Sequence, residues 1–118
     1  MGILQKIFGA FSSKSPELFY EVKVTNDSVT VSHPKHGIEK INWNKINLIK
    51  LINTDAGPAG IDIWLNLKGD NEECFIPHGH KGFDEVYEIV SKYDNFNFNN
   101  FIDSMSCADN KEFLLWEK

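Results

Sequence analysis

INLIKLINT (residues 46–54), IDIWLNLK (61–68) and EECFI (72–76) follow one another with only turn sequence between them, and their patterning decides the fold. In the middle run Ile63, Leu65 and Leu67 point one way, while Asp62, Trp64, Asn66 and Lys68 point the other. That alternation is what an antiparallel strand with one wet face requires. In the first run Ile46, Leu48 and Ile52 oppose Ile49 and Leu51, so the strand is either covered on both faces or bulged. Asp55-Ala56-Gly57-Pro58-Ala59-Gly60 reads as a link and Gly69-Asp70-Asn71 as a tight turn.

Upstream, Leu18, Tyr20, Val22 and Val24 share a face, Thr25-Asn26-Asp27 turns the chain, and Val29 and Val31 resume the period of two, which predicts a hairpin. His33-Pro34-Lys35-His36-Gly37 is a loop by its Pro and Gly. Ile41 and Trp43, alternating with Lys40 and Asn42, predict a third strand, which Asn44-Lys45 turns into the fourth. Ile3, Leu4, Ile7, Phe8 and Phe11 recur at helical spacing, so the first dozen residues predict a short amphipathic helix. It either caps one end of the sheet or serves as an arm for a partner or membrane surface.

Downstream, Pro77-His78-Gly79-His80-Lys81-Gly82 ends the sheet and the period becomes 3.6. Phe83, Val86, Tyr87 and Val90 form a stripe, with Asp84 and Glu85 in the first turn, where they oppose the positive helix end. Burying those four side chains contributes roughly 6 to 12 kcal/mol before entropy, so the stripe is expected to lie across the open mouth of the sheet. Phe98, Phe101, Ile102 and Met105 predict a second helix capped by Asn97 or Asn95, and residues 113–116 return as a last strand or extended tail.

The expected fold class is therefore α+β: a strongly bent antiparallel sheet or partly open barrel of six to seven strands, two C-terminal helices and a short N-terminal helix. One domain spans 1–118, with an amphipathic segment at 1–15, the sheet at 17–77, helices at 82–107 and the closing strand or tail at 111–117. Its 118 residues, 42% hydrophobic, suit a single core.

Charge narrows the partners. The formal net charge is −5 and all 12 positive residues are lysines. Arginine supplies the planar fork that grips phosphates and guanine edges, so its absence argues against nucleic acid and favours a basic partner. Cys74 and Cys107 lack CxxC spacing and read as reduced, mostly buried thiols. Gln5 and Lys6 break the first apolar run too early for an export signal, and no later segment reaches membrane-spanning length, so a cytoplasmic protein is expected.

Little in the sequence carries chemistry. His33 with His36 and His78 with His80 would supply imidazoles to zinc, nickel or copper if their loops met. Such pairs are common in loops, and solvent-exposed imidazoles are the preferred reading; no cofactor is expected. Gly57-Pro58-Ala59-Gly60 lacks the Gly-Lys-Ser/Thr ending of a phosphate loop. Ser104, Ser106 and Cys107 have no histidine close in sequence, and there is no Gly-x-Ser-x-Gly elbow, so no catalytic residue is assigned. Asp55, Asp62, Asp70, Glu72 and Glu73 gather around the middle strands with Trp64. An aromatic anchor among steering charges suits a basic protein partner. The alternative places Trp64 beneath a helix, with the carboxylates serving solubility.

Strands followed by a helix look like a pleckstrin-homology-like domain. More narrowly, Ile41-Asn42-Trp43-Asn44-Lys45-Ile46, Thr54-Asp55-Ala56-Gly57-Pro58, Ile76-Pro77, Gly82-Phe83, Asn95-Phe96-Asn97 and Phe113-Leu114-Leu115-Trp116, taken in order, resemble a family of small, poorly characterised bacterial cytosolic proteins over roughly residues 17 to 118. The resemblance implies a toxin-immunity protein and brings no catalytic residues. The expected function is thus a non-catalytic module that neutralises a basic toxin domain by covering its active site or substrate cleft. The alternative is an adaptor for peptides or membrane-associated partners.

Overall fold

The β-branched and aromatic residues of the first half form strands wherever the period of two holds. In the computed structural model, which describes residues 19–54, 63–107 and 109–118, they are β1 (Glu21–Val24), β2 (Ser28–His33), β3 (Gly37–Asn42), β4 (Leu48–Asn53), β5 (Ile63–Lys68) and β6 (Glu73–Pro77). Helices α1 (Lys81–Val90) and α2 (Phe98–Met105) follow, and β7 (Lys111–Glu117) ends the chain. The expected N-terminal helix, Asp55 and Asp62 lie outside the described residues.

All pairings are antiparallel, in two sheets of order β1-β2-β3 and β6-β5-β4-β7. This corrects the expectation of one bent sheet or barrel, because the two sheets are not closed into a barrel. Strands β3 and β6 approach without a ladder. Instead, the Phe75 amide donates to the Glu39 carboxylate at 2.9 Å and the Asn42 amide to Glu72 at 3.2 Å. Two glutamate side chains thereby satisfy edge N–H groups that a neighbouring strand would otherwise take.

The alternation read from the sequence holds in the core. Ile49, Leu51, Leu65, Leu67 and Ile76 are fully buried with Val29 and Ile41 of the first sheet. Both explanations offered for the mixed parity of the fourth strand enter. Strand β4 runs between β5 and β7, its pairing with β7 shifts register between Ile49 and Lys50, and Leu48 and Ile52 are half-buried. The third strand begins earlier than expected, because Gly37 takes a φ of 84° that permits a tight three-residue connection from His33. It also ends before Trp43, whose amide donates to the Asp27 carbonyl at 3.1 Å and whose indole donates to the Thr25 carbonyl at 2.8 Å. Those bonds hold residues Trp43–Lys45 in a single 3-10 turn.

Helix α1 buries Phe83, Val86 and Val90, as its stripe implies, and packs against β1 and β6. Its contact with β1 is close: a Cβ added at Gly82 would lie 2.4 Å from the Val22 Cβ. Gly82→Ala is accordingly expected to cost about 1 to 3 kcal/mol in urea unfolding even though alanine is the better helix former. An unchanged midpoint would mean that α1 and β1 are farther apart.

Helix α2 differs from expectation. Its apolar stripe splits, with Phe101 and Met105 half-buried but Phe98 and Ile102 exposed at 51% and 62%. The residue buried in their place is Ser104, whose hydroxyl donates to Asn53 Oδ1 at 2.6 Å. A polar lock to β4 sets the helix rotation here. Asn97 is the cap, accepting from the Asn100 amide at 2.9 Å, whereas Asn95 adopts a left-handed φ of 70°. Among the described residues no helix is long and apolar enough to cross a membrane.

Candidate functional site

Trp64 is the second residue of β5, opposite Ile52 and Pro77, on the strand face away from the buried Leu65. This is the parity expected from sequence, yet the residue is half-buried. The Tyr20 ring stands edge-on to it, centroids 5.6 Å apart. Tyr20 lies just before β1 and is fixed through its backbone carbonyl, which takes a hydrogen bond from His80 Nε2 at 2.9 Å. His80 Nδ1 meanwhile accepts from the Gly82 amide at 2.8 Å as the cap of α1, so the Nε2 tautomer donates. One imidazole thus ties the start of the helix to the wall of the site.

Tyr20, Trp64 and Ile52, with His33, His36, Glu39 and Phe75, line a cavity of about 390 Å³. Small-molecule and side-chain pockets begin near this size. His33 and His36 stack at 4.3 Å, and His33 lies 4.5 Å from the Tyr20 ring. His33 Nδ1 accepts from the amides of Lys35 and His36 at 3.0 and 3.3 Å. Desolvation, then the neighbouring His36 and Lys35, push its pKa below the usual histidine value, which suits a ring nitrogen that must remain an acceptor. Burial, then the Glu39 charge, raise the Tyr20 phenol. Glu39 therefore acts on the cavity while one of its oxygens holds the Phe75 amide.

The other sequence candidates are distributed along the β5–β6 hairpin. Asp70 accepts from the Asn47 side chain at 2.8 Å, and Glu72 holds the Asn42 amide at the turn end. Glu73 pairs across from Lys68 and accepts from Asn66 at 3.0 Å. Lys68 lies four residue steps along β5 from Trp64, about 13 Å. Trp64, Asp70, Glu72 and Glu73 therefore do not converge on one point, and the carboxylate beside Trp64's cavity is Glu39. Nor do the histidine pairs assemble as ligands. His78 packs edge-on against Phe83 at 4.9 Å, His80 is the helix cap, and no group of three or more His, Cys, Asp or Glu among the described residues is placed to hold a metal ion.

Cys74 is fully buried, its thiol pushed up to about 12 by burial and then by Glu39, Glu72 and Glu73. Iodoacetamide at pH 8 is expected to alkylate the half-buried Cys107 in the native protein and Cys74 only after denaturation, as read by peptide mass spectrometry. Rapid native labelling of Cys74 would contradict that burial.

Tyr20, Glu39 and Phe75 were not legible as site residues. Each occupies an ordinary position in an alternating strand, and only the meeting of two sheets makes them neighbours. The chain matches no family model, no curated protein and no solved structure.

Proposed function

We propose that this chain is a non-catalytic protein-binding module of the immunity type, covering the active site or substrate cleft of a basic toxin domain, and that Trp64's cavity is where the partner is anchored. The observation that carries the reading is the cavity itself: a half-buried tryptophan and tyrosine facing one another, beside a carboxylate, on an acidic molecule. Interface energy concentrates in such aromatic pockets, while net charge governs encounter. The surrounding polar groups support the same reading. His33, His80 and Glu39 hold backbone N–H groups, work that suits a rigid receptor better than an acid–base relay. Six antiparallel strands before α1 also support the pleckstrin-homology-like comparison.

Co-expression with the C-terminal domain of a large secreted protein, chosen from the gene immediately upstream, provides the test. The wild-type chain is expected to restore growth, and the Tyr20→Ala/Trp64→Ala double variant to lose protection and bind at least tenfold more weakly with its circular dichroism unchanged. A folded double variant that protects as well as wild type would remove the cavity from the interface. Failure of the wild type to protect would end the immunity reading.

A further inference from the structure

We propose that the cavity beside Trp64 is a receptor for an alkylammonium group, the head of a lysine side chain presented by a protein partner; the assignment of that lysine to a toxin rests on the immunity reading above. Three features of the lining select a cation over a neutral apolar group.

The first is the set of aromatic rings. Tyr20, Trp64 and Phe75 come from three different strands or strand ends and border one volume of about 390 Å³, ample for four methylenes and an ammonium. Aromatic faces carry negative quadrupole density, and cations held within about 6 Å of a ring centroid are attracted to it.

The second is Glu39. Its carboxylate borders the cavity and takes one hydrogen bond from the Phe75 amide, but no described lysine forms an ion pair with it; the two ion pairs among the described residues are Lys50 with Glu112 and Lys92 with Glu88. A carboxylate among aromatic rings is costly to desolvate without a counter-charge. A neutral occupant would remove water from Glu39 and return nothing, whereas an ammonium would supply the missing charge.

The third is the state of the imidazoles. His33 and His36 stack as a pair on the cavity wall, and His33 Nδ1 is occupied as an acceptor of two backbone amides. Protonation of His33 at Nδ1 would break both bonds, so they favour the neutral ring on the cavity wall. Among the described residues no lysine lines the cavity; Lys35 lies on the turn between the two histidines.

The test uses n-butylammonium, a lysine side chain cut at Cα, against 1-butanol, its neutral counterpart with the same number of heavy atoms. Binding is followed by NMR on the three tryptophan indole N–H signals of the full chain. Trp43 and Trp116 donate their indole N–H to the carbonyls of Thr25 and Asp94, away from the cavity, and serve as internal controls. The expected result is a saturable shift of the Trp64 signal alone, with butylammonium at least fivefold tighter than butanol. Glu39→Gln keeps an oxygen to accept from the Phe75 amide and is expected to bring the two within about twofold of each other. Equal binding of both compounds to the wild type, or no shift of Trp64 by either, would overturn the proposal without needing any variant. Preserved selectivity in Glu39→Gln would overturn the role given to that carboxylate. Toxin protection is not part of this measurement, so a failed growth rescue and a failed ammonium preference are separately visible.

Discussion

Leu65→Ala is expected to lower the free energy of unfolding by about 3 to 5 kcal/mol. Leu65 sits in the middle of β5, wholly buried, with Leu51 as its partner across one side and Ile76 across the other. Leu51 in turn pairs with Phe113 of β7, so a single apolar row, Ile76-Leu65-Leu51-Phe113, crosses all four strands of the second sheet. Truncating the second member removes three heavy atoms from a site with hydrogen-bonded strands on both sides, where backbone collapse into the vacated volume is restrained. The cost therefore includes the cavity as well as the lost transfer free energy. Against a typical domain stability of roughly 5 to 15 kcal/mol, such a change consumes about a fifth or more. Urea titration should show a lower midpoint with an unaltered slope, and Leu65→Met should cost less than about 1.5 kcal/mol. A loss below about 1 kcal/mol for the alanine variant would mean that the row is not packed as described.

Asn53→Ala is expected to cost about 2 to 4 kcal/mol through polar groups alone. The Asn53 amide donates to the Ser104 carbonyl at 2.9 Å and the Cys107 carbonyl at 3.2 Å, and its oxygen accepts from the Ser104 hydroxyl at 2.6 Å. Both side chains are buried. Removing the amide takes a bond from the Ser104 carbonyl, which keeps the Cys107 amide, and from the half-buried Cys107 carbonyl, and it leaves the buried Ser104 hydroxyl without its acceptor. Ser104→Ala removes one bond and leaves one acceptor unpaired, so about 1 to 2 kcal/mol is expected for it. The double variant should cost clearly less than the sum of the singles, because the pair acts as one unit. Additive losses would show that the lock between β4 and α2 does not operate.

That lock marks the boundary of what the sequence reveals. Strand β5 is legible from its period-two run, because burial of one face imposes the pattern directly on Ile63, Leu65 and Leu67, whereas β4 mixes both parities and residues 113–116 read equally as strand or tail. The α1 stripe is legible for the same reason. The rotation of α2 is not, since a stripe of Phe98, Phe101, Ile102 and Met105 outweighs a lone serine in any count of apolar residues, and only the fold supplies Asn53 as Ser104's partner. Likewise His80 offers no sign in sequence that it caps a helix, because its role depends on Gly82 following at the right spacing and on the Tyr20 carbonyl arriving from residues sixty positions away. Glu39 and Glu72 look like solvated strand charges, whereas the structure uses them to occupy the edge amides of Phe75 and Asn42. Local patterns report which face is wet; they do not report which edges meet. The candidate site lies where two edges meet, which is why Trp64 alone of its aromatic and acidic lining was picked out from the sequence.

The claim on which the site depends is that Tyr20, just before β1, closes over Trp64, the second residue of β5. A two-dimensional NOE spectrum with assigned Tyr20 and Trp64 rings measures this directly. With ring centroids 5.6 Å apart and the planes edge-on, strong cross-peaks between the Tyr20 ring protons and the Trp64 indole are expected. Their absence, with both rings assigned and the β4–β5 cross-peaks present, would contradict the closure and with it the cavity.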